Sequence, residues 1–316
     1  MLEQLEQYFL PSKYDDFEKI ILKGGVKAKT FLISKDDTKY VLQLYCDDYI
    51  SGNYISEAQK KFYISQRIRA NNPACKVQNV LEYKNNIVNS YLIADFIKGE
   101  TIRQIREKGN SVCLSVWGEL AKALYEIHSI PCTENFGWIR GNSQVDEHKT
   151  FIDFVESEYN RINLVLKDNF SEIDFLKILE KEDELRKYIM NKPYKPKLTW
   201  HDLNPSNILT NEGFFTAIID SGQARFDIPE TDLAFLKALT CLCDEEFFEL
   251  YAQYKKYEPS IDEQLIDKLM ILIEIENIYL RIEENINIPI PYSTVFYDIN
   301  KKSQEIQKSK FLHKQH

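Results

Sequence analysis

The sequence lacks any paired use of cysteine. Its six cysteines are Cys46, Cys75, Cys113, Cys132, Cys241 and Cys243, and they form no C-x-x-C pair and no Cys/His metal spacing. This argues against a disulfide framework or a zinc module and points to reduced thiols in a cytoplasmic protein. No apolar run approaches the ~20 residues of a membrane span, so no membrane partner is expected. The start, Met1-Leu2-Glu3-Gln4-Leu5-Glu6, is acidic and lacks the basic start and apolar centre of a signal peptide. An excess of positive charge is missing too. Lys and Arg total 40 against 49 for Asp and Glu, a net charge of −9. That balance argues against nucleic acid as the main partner and is compatible with a cationic substrate. There is no internal repeat and no low-complexity segment. What remains is 316 residues, 44% hydrophobic, enough for one two-lobed enzyme or two ordinary domains.

The most informative stretch is Lys197-Leu198-Thr199-Trp200-His201-Asp202-Leu203-Asn204-Pro205-Ser206-Asn207-Ile208-Leu209, followed by Ala217-Ile218-Ile219-Asp220-Ser221-Gly222. Asp202 and Asn207 fall in a polar loop that runs into Ile208-Leu209. Phe214 to Ile219 reads as a second strand, with Asn211-Glu212-Gly213 as the turn. A hairpin base would then bring two carboxylates and one amide together. Phosphoryl transfer from ATP uses such a set: one carboxylate orients the attacking hydroxyl, and an Asp with an Asn holds Mg²⁺. A lone D-x-x-x-x-N is more simply an Asx-rich loop. Its ordered pairing with I-I-D-S-G favours the chemical reading.

These motifs, together with Pro229-Glu230-Thr231-Asp232-Leu233-Ala234, resemble the aminoglycoside phosphotransferase and choline kinase branch of the protein-kinase-like fold. The resemblance implies Asp202 as the catalytic carboxylate and Asn207 and Asp220 as the Mg²⁺ ligands. It also implies that Asp232 starts a buried helix. Where the family has a His two residues before the catalytic Asp, this chain has Trp200, and His201 reads as a loop residue.

Earlier in the chain, Phe17 to Leu22 and Thr30 to Ser34 read as strands around Lys23-Gly24-Gly25-Val26-Lys27-Ala28-Lys29. Glycines let backbone N–H groups approach phosphate oxygens, and lysines add positive charge. Alone, two glycines in a hairpin mark a plain turn. The resemblance makes Gly24 and Gly25 a phosphate loop. Lys39 to Tyr45 is a clear strand, and the position where the family carries its phosphate-contacting Lys or Arg is Gln43. An amide brings no charge, so either the site accepts that loss or another cation supplies it, with Lys27 or Lys29 as candidates; the simpler reading leaves both lysines exposed to solvent. Ser56 to Ala70 has helical character. Glu57 near its start matches the family's helix Glu, and with Gln43 opposite, its strand partner is missing. The bland reading of Glu57 is a charge that complements the helix N-terminus. Val77 to Tyr83 and Ile87 to Phe96 read as a hairpin ending in Asp95-Phe96-Ile97. By resemblance, the Asp95 carbonyl and Ile97 N–H would meet the base, flanked by Val41 and Ile219.

From Thr101 the pattern turns helical. Val112 to His128 is strongly periodic, and Phe151 to Leu166 with Ile173 to Ile189 reads as an antiparallel helical pair. Leu233 to Cys243 reads as a buried helix, followed by helices over 245–257 and 261–286, the last opened by a capping box at Ser260-Ile261-Asp262-Glu263. The dense acidic residues of this part read mostly as solvated helix faces, with a minority available to line a cleft for an amine.

The expected fold is α+β and protein-kinase-like. Residues 1–97 form a small antiparallel-sheet nucleotide lobe, and residues 98–316 form a larger, mostly helical lobe for catalysis and substrate. The expected activity is Mg²⁺-assisted phosphorylation of a small-molecule hydroxyl by ATP or GTP, with aminoglycosides among the substrate classes. A nucleotide-binding regulatory pseudokinase of the same fold is the alternative, favoured by Gln43 and Trp200 and opposed by the intact Asp202, Asn207 and Asp220.

Overall fold

Alternation builds the first sheet. In Val41-Leu42-Gln43-Leu44-Tyr45, successive side chains point to opposite faces. Leu42 and Leu44 pack with Tyr14, Phe31, Ile33, Tyr91 and Ile93 on one face. Tyr45 packs with Ala58, Val80, Leu92 and Ala94 on the other. A strand buried on both faces therefore reads as nearly continuous hydrophobic sequence, interrupted only at Gln43.

The computed structural model describes the chain outside residues 1–11, 23–27, 47–48, 51–52, 55–56, 85–88, 141–143, 146, 242, 284–300, 302, 305 and 307–316. Its principal elements, in order, are β1 (Glu18–Leu22), β2 (Ala28–Lys35), β3 (Thr38–Cys46), α1 (Glu57–Asn71), β4 (Val80–Lys84), β5 (Asn89–Asp95), α2 (Leu114–His128), α3 (Phe151–Asn169), α4 (Glu172–Ile189), β6 (Lys197–Thr199), β7 (Ile208–Asn211), β8 (Phe214–Ile218), β9 (Arg225–Asp227), α5 (Pro229–Phe235), α6 (Asp244–Tyr257) and α7 (Glu263–Glu283). Among the described residues, no helix is long and apolar enough to cross a membrane. The spacing of Leu2, Leu5, Phe9 and Leu10 predicts a short amphipathic helix over residues 1–10, which lies outside the described residues.

The chain forms two compact units, and neither is continuous in sequence. The first comprises residues 1–116, 138–146 and 205–224; the second comprises 117–137, 147–204 and 225–316. The β7–β8 hairpin falls in the unit that holds the N-terminal sheet.

In the first unit, the five-stranded antiparallel sheet runs β1-β2-β3-β5-β4. Helix α1 covers the face that carries Tyr45. The hairpin β7–β8 turns at Glu212 (φ 53°) and Gly213 (φ 82°), the two left-handed residues that suit a tight hairpin turn. Val77, expected to begin β4, instead bridges Ile218 in parallel. The Ile218 N–H donates to Lys76 C=O and the Ile218 C=O accepts from the Gln78 N–H, both at 3.0 Å, which takes these residues away from β5.

In the second unit, α3, α4 and α7 pack together, and β6 pairs antiparallel with β9. Two details depart from the sequence pattern. The buried helix starts at Pro229, whose missing N–H suits the first helical position, and it ends as a π turn over Leu236–Thr240. Helix α7 is capped by Asp262, whose Oδ1 accepts the Leu265 N–H at 3.1 Å, while the Ser260 hydroxyl turns to Glu258.

Candidate active site

The β7–β8 hairpin fixes two of the expected ligands. At its open end the Ile219 N–H donates to Asn207 C=O at 2.9 Å. Asn207 is thereby set opposite Ile219, beside Asp220. Asp220 adopts the left-handed region, φ 63° and ψ 78°, and its Oδ1 accepts the Gly222 N–H at 3.2 Å. A non-glycine residue held there costs of order 1–3 kcal/mol and is typically retained at functional positions.

Asp220 meets a cation that sequence reasoning missed. Lys61, on α1, places Nζ 2.7 Å from Asp220 Oδ1, with a side chain only 7% exposed. The same ammonium donates to Gln43 Oε1 at 3.2 Å, and that oxygen also accepts the Tyr45 hydroxyl at 2.7 Å. Lys61 Nζ lies 5.4 Å from the centre of the Tyr45 ring. Burial acts to lower the Lys61 pKa, but the charge of Asp220, with Tyr45 and Glu57, outweighs it and holds the pKa above its ordinary value. Burial pushes the Tyr45 hydroxyl up. Glu57 lies one helical turn before Lys61, on the same face. Both side chains crowd Gly222: a Cβ there would stand 2.9 Å from Glu57 Oε2 and 3.1 Å from Lys61 Cε. Gln43, Glu57, Asn207 and Asp220 are thus gathered in the first unit. Glu57, expected to lack a cation, has one a turn away. The Glu57/Lys61 spacing was the available signal.

Lys29, one of the two expected replacements, is exposed, and its register explains why. Thr30, not Lys29, pairs with Gln43, and Lys29 pairs with Leu44. Directly opposed residues share a face, so Lys29 lies on the other side of the sheet from Gln43. Gly24, Gly25 and Lys27 lie outside the described residues.

At the end of β5, the Asp95 N–H donates to Asn79 C=O at 2.9 Å, and the Asp95 C=O accepts the Gln78 amide at 3.0 Å. A carbonyl has two lone pairs, so this one retains capacity for a base. Val41 is buried, and Ile97 and Ile219 are half-buried.

The second unit holds Asp202, and it does so through the backbone on either side. The His201 N–H donates to Asp232 Oδ1 at 2.7 Å and the Trp200 N–H to Asp232 Oδ2 at 2.8 Å. On the other side, Leu203 C=O accepts the Thr240 hydroxyl. Asp202 Oδ1 accepts the Asn204 side-chain amide at 2.6 Å. Asp232 is fully buried and also takes His128 Nε2 at 3.0 Å, while His128 Nδ1 meets the Tyr254 hydroxyl at 2.7 Å. Burial alone would raise the Asp232 pKa. The His128 bond and charge and the two backbone N–H groups outweigh it and hold the carboxyl below its usual range. Trp200 departs from the family in its side chain, yet its backbone is held all the same.

His201, at φ 60°, is no simple loop residue. Its Nε2 lies 3.0 Å from Glu276 Oε2. Glu276 Oε1 accepts Arg225 Nη1 at 3.2 Å, and Arg225 pairs with Asp227 at 2.8 Å. Burial opposes ionisation of Glu276, but the His201 and Arg225 charges win and bring its pKa down to about 2. Glu246, Glu274 and Glu276 are therefore buried rather than solvated, and Glu276 is committed to internal partners.

Residues 20–263 match the phosphotransferase enzyme family APH. The chain belongs to that family. No curated protein matches its sequence. Solved structures similar to it include aminoglycoside phosphotransferase APH(4)-Ia, with 18% identity and a TM-score of 0.68 over 98% of this chain and 99% of that one. The gentamicin complex of APH(2″)-IIa matches at 16% identity and TM-score 0.65, over 98% and 96% of the two chains. Spectinomycin phosphotransferase APH(9)-Ia, bound to ADP and spectinomycin, matches at 16% identity and TM-score 0.61, over 99% and 97%. At these identities the likeness carries the fold: kinase-like, with an antiparallel N-terminal sheet and a helical C-terminal part.

Proposed function

We propose that the chain transfers the terminal phosphate of ATP or GTP, with Mg²⁺, to a hydroxyl of a small amine-bearing molecule. The observation that carries this reading is the hairpin base, where the backbone hydrogen bond from Ile219 N–H to Asn207 C=O sets Asn207 across from the residue that precedes Asp220. Among the described residues, no cluster of three or more His, Cys, Asp or Glu could cage a metal. A two-ligand oxygen set fits Mg²⁺, which keeps waters and takes its other ligands from substrate phosphates. When bound, Mg²⁺ would neutralise charge on the phosphates being transferred.

Asn207 and Asp220 would hold that metal. The backbone and side chains at Asp95, Ile97, Val41 and Ile219 would receive the base, and Gly24 and Gly25 would cover the phosphates. Asp202 would accept a hydrogen bond from the acceptor hydroxyl and take its proton. The hydroxyl oxygen forms the new bond to the terminal phosphorus, the bond from phosphorus to the bridging oxygen breaks, and the nucleoside diphosphate leaves with that electron pair. Positioning and electrostatics supply most of such catalysis. An amine-bearing acceptor is supported by the net charge of −9 and by the hygromycin B, gentamicin and spectinomycin complexes of similar folds.

The test is a screen of aminoglycosides, choline and sugars for Mg²⁺-dependent consumption of ATP and GTP. Turnover with an aminated acceptor is the expected result. Nucleotide binding without turnover on any acceptor would favour the regulatory pseudokinase.

A further inference from the structure

We propose that Lys61, from helix α1, is the cation that binds the nucleotide phosphates, and that Gln43 aims it there. This rests on the nucleotide-dependent reading above and identifies a residue that the reading leaves unassigned.

The geometry is specific. A lysine at position 43 of β3 would deliver its ammonium over the α1 face of the sheet, towards Asp220. In this chain that place is taken from the other side. Lys61 Nζ is 2.7 Å from Asp220 Oδ1 and 3.2 Å from Gln43 Oε1. The Tyr45 hydroxyl donates to the same Gln43 oxygen at 2.7 Å. That second bond fixes the amide with its acceptor turned towards the ammonium. A Lys or Arg at position 43 would set two cations against each other, so the neutral amide and the helix lysine form a matched pair. Gln43 then reads as half of an exchange of positions, with the charge moved from strand to helix.

The other candidate among the described residues, Lys29, does not reach. Lys29 lies on the opposite face, since Thr30 is the residue registered with Gln43. Lys61 is also placed to act. An ammonium has three N–H donors. Asp220 Oδ1, Gln43 Oε1 and the Tyr45 hydroxyl surround it, and an anionic phosphate oxygen would outcompete the two neutral oxygens for its N–H groups. Asp220 is the proposed metal ligand, so the ammonium stands at the place where metal-bound phosphates would arrive. A charge-assisted bond of this kind is about twice as strong as a neutral one. Glu57 and Gly222 complete the setting: the Glu57 carboxylate lies on the same helix face one turn earlier, and Gly222 leaves room for both side chains.

The experiment measures the affinity of the full chain for Mg²⁺–ATP and for adenosine by calorimetry, in the parent and in three variants. Lys61→Gln removes the charge. Gln43→Lys adds a second one. The double variant Gln43→Lys/Lys61→Gln restores one cation, now on the strand. Lys61→Gln is expected to lose about tenfold or more in ATP affinity while adenosine affinity stays within about twofold, because adenosine carries no phosphate. Gln43→Lys alone is expected to weaken ATP binding or lower the melting temperature, through repulsion between the two ammonium groups. The double variant is expected to recover ATP affinity to within a few fold of the parent. It keeps one buried cation beside Asp220 and Glu57, so it also serves if Lys61→Gln fails to fold. The assignment is overturned if Lys61→Gln keeps parental ATP affinity, if it loses ATP and adenosine affinity equally, or if the double variant gains nothing over it. A parent that binds ATP separates those outcomes from failure of the proposed function. A parent that binds no nucleotide brings down both.

Discussion

Asp232 Oδ1 accepts the backbone N–H of His201 at 2.7 Å, so the residue next to the proposed catalytic carboxylate is tied to a fully buried anion. The second oxygen takes the Trp200 N–H and His128. An Asn in place of Asp232 would offer one acceptor oxygen and turn an NH₂ against a donor. Asp232→Asn is expected to destabilise the protein by ~3–5 kcal/mol, the scale for breaking a buried pair. Urea unfolding would measure it. The sign with pH follows from the depressed carboxyl: this contribution is present above the ordinary carboxylate range, near pH 4, and is lost as pH falls through the lower folded value. The Asp232→Asn penalty should therefore shrink in strong acid.

Asp202 and Asp220 have different proposed roles, so their variants should differ. Asp202→Asn keeps the shape and removes the proton acceptor. Turnover should fall by ~10²-fold or more, with nucleotide affinity retained. Asp220→Ala removes a metal ligand and the partner of Lys61, and should weaken Mg²⁺-dependent nucleotide binding itself. Steady-state kinetics with calorimetry separate the two. Parental turnover in Asp202→Asn would show that the loop has been misassigned.

Gly222 is a steric test of the Glu57/Lys61 arrangement. An added Cβ meets the far end of the Glu57 side chain at 2.9 Å. That end can swing away, so the fold should tolerate Gly222→Ala. Displacing the carboxylate should disturb Lys61 and weaken nucleotide binding by about 1 kcal/mol, some fivefold in Kd. A large drop in melting temperature with unchanged affinity would contradict this.

Glu182, on α4, is 1% exposed. Asn163 donates to its Oε2 at 2.9 Å, while its Oε1 is buried with no hydrogen-bond partner among the described residues. Burial, opposed by the Asn163 bond and Arg186 and assisted by Glu156, pushes its pKa up to about 7. The folded state therefore holds a proton that the unfolded chain releases near pH 4.5. Stability falls as pH rises between those values and stays reduced above about 7. Glu182→Gln should match the parent near pH 4 and exceed it at pH 8 by ~1–3 kcal/mol. Thermal or urea unfolding at the two pH values is the check. Equal stability of parent and variant at pH 8 would contradict the assignment.

Much of the fold was legible because local rules governed it. The alternation in Lys39 to Tyr45 specified a two-faced buried strand, and the turn at Glu212-Gly213 specified the hairpin. Boundaries shifted where tertiary pairing competed. Val77 was drawn to Ile218, and Asp262 took the capping role from Ser260. The acidic residues of α7 looked solvated because charge is usually outside. Glu276 is inside because His201 and Arg225 compensate it, and neither is near it in sequence.

By itself the sequence determined the main elements and the alternation of side chains within each. It determined the order of Asp202, Asn207 and Asp220, and it marked Gln43 as a position without charge. It could not determine which faces meet. Periodicity is a property of one element, whereas Lys61 reaches Gln43 and Asp220 only because α1 covers the Tyr45 face of the sheet and the β7–β8 hairpin brings Asp220 to the same place. The tertiary structure decided that Lys29 belongs to the other face. It also decided that Asp232 holds the loop of Asp202 by its backbone. Buried charge requires a partner, and the fold, more than the spacing, supplied it.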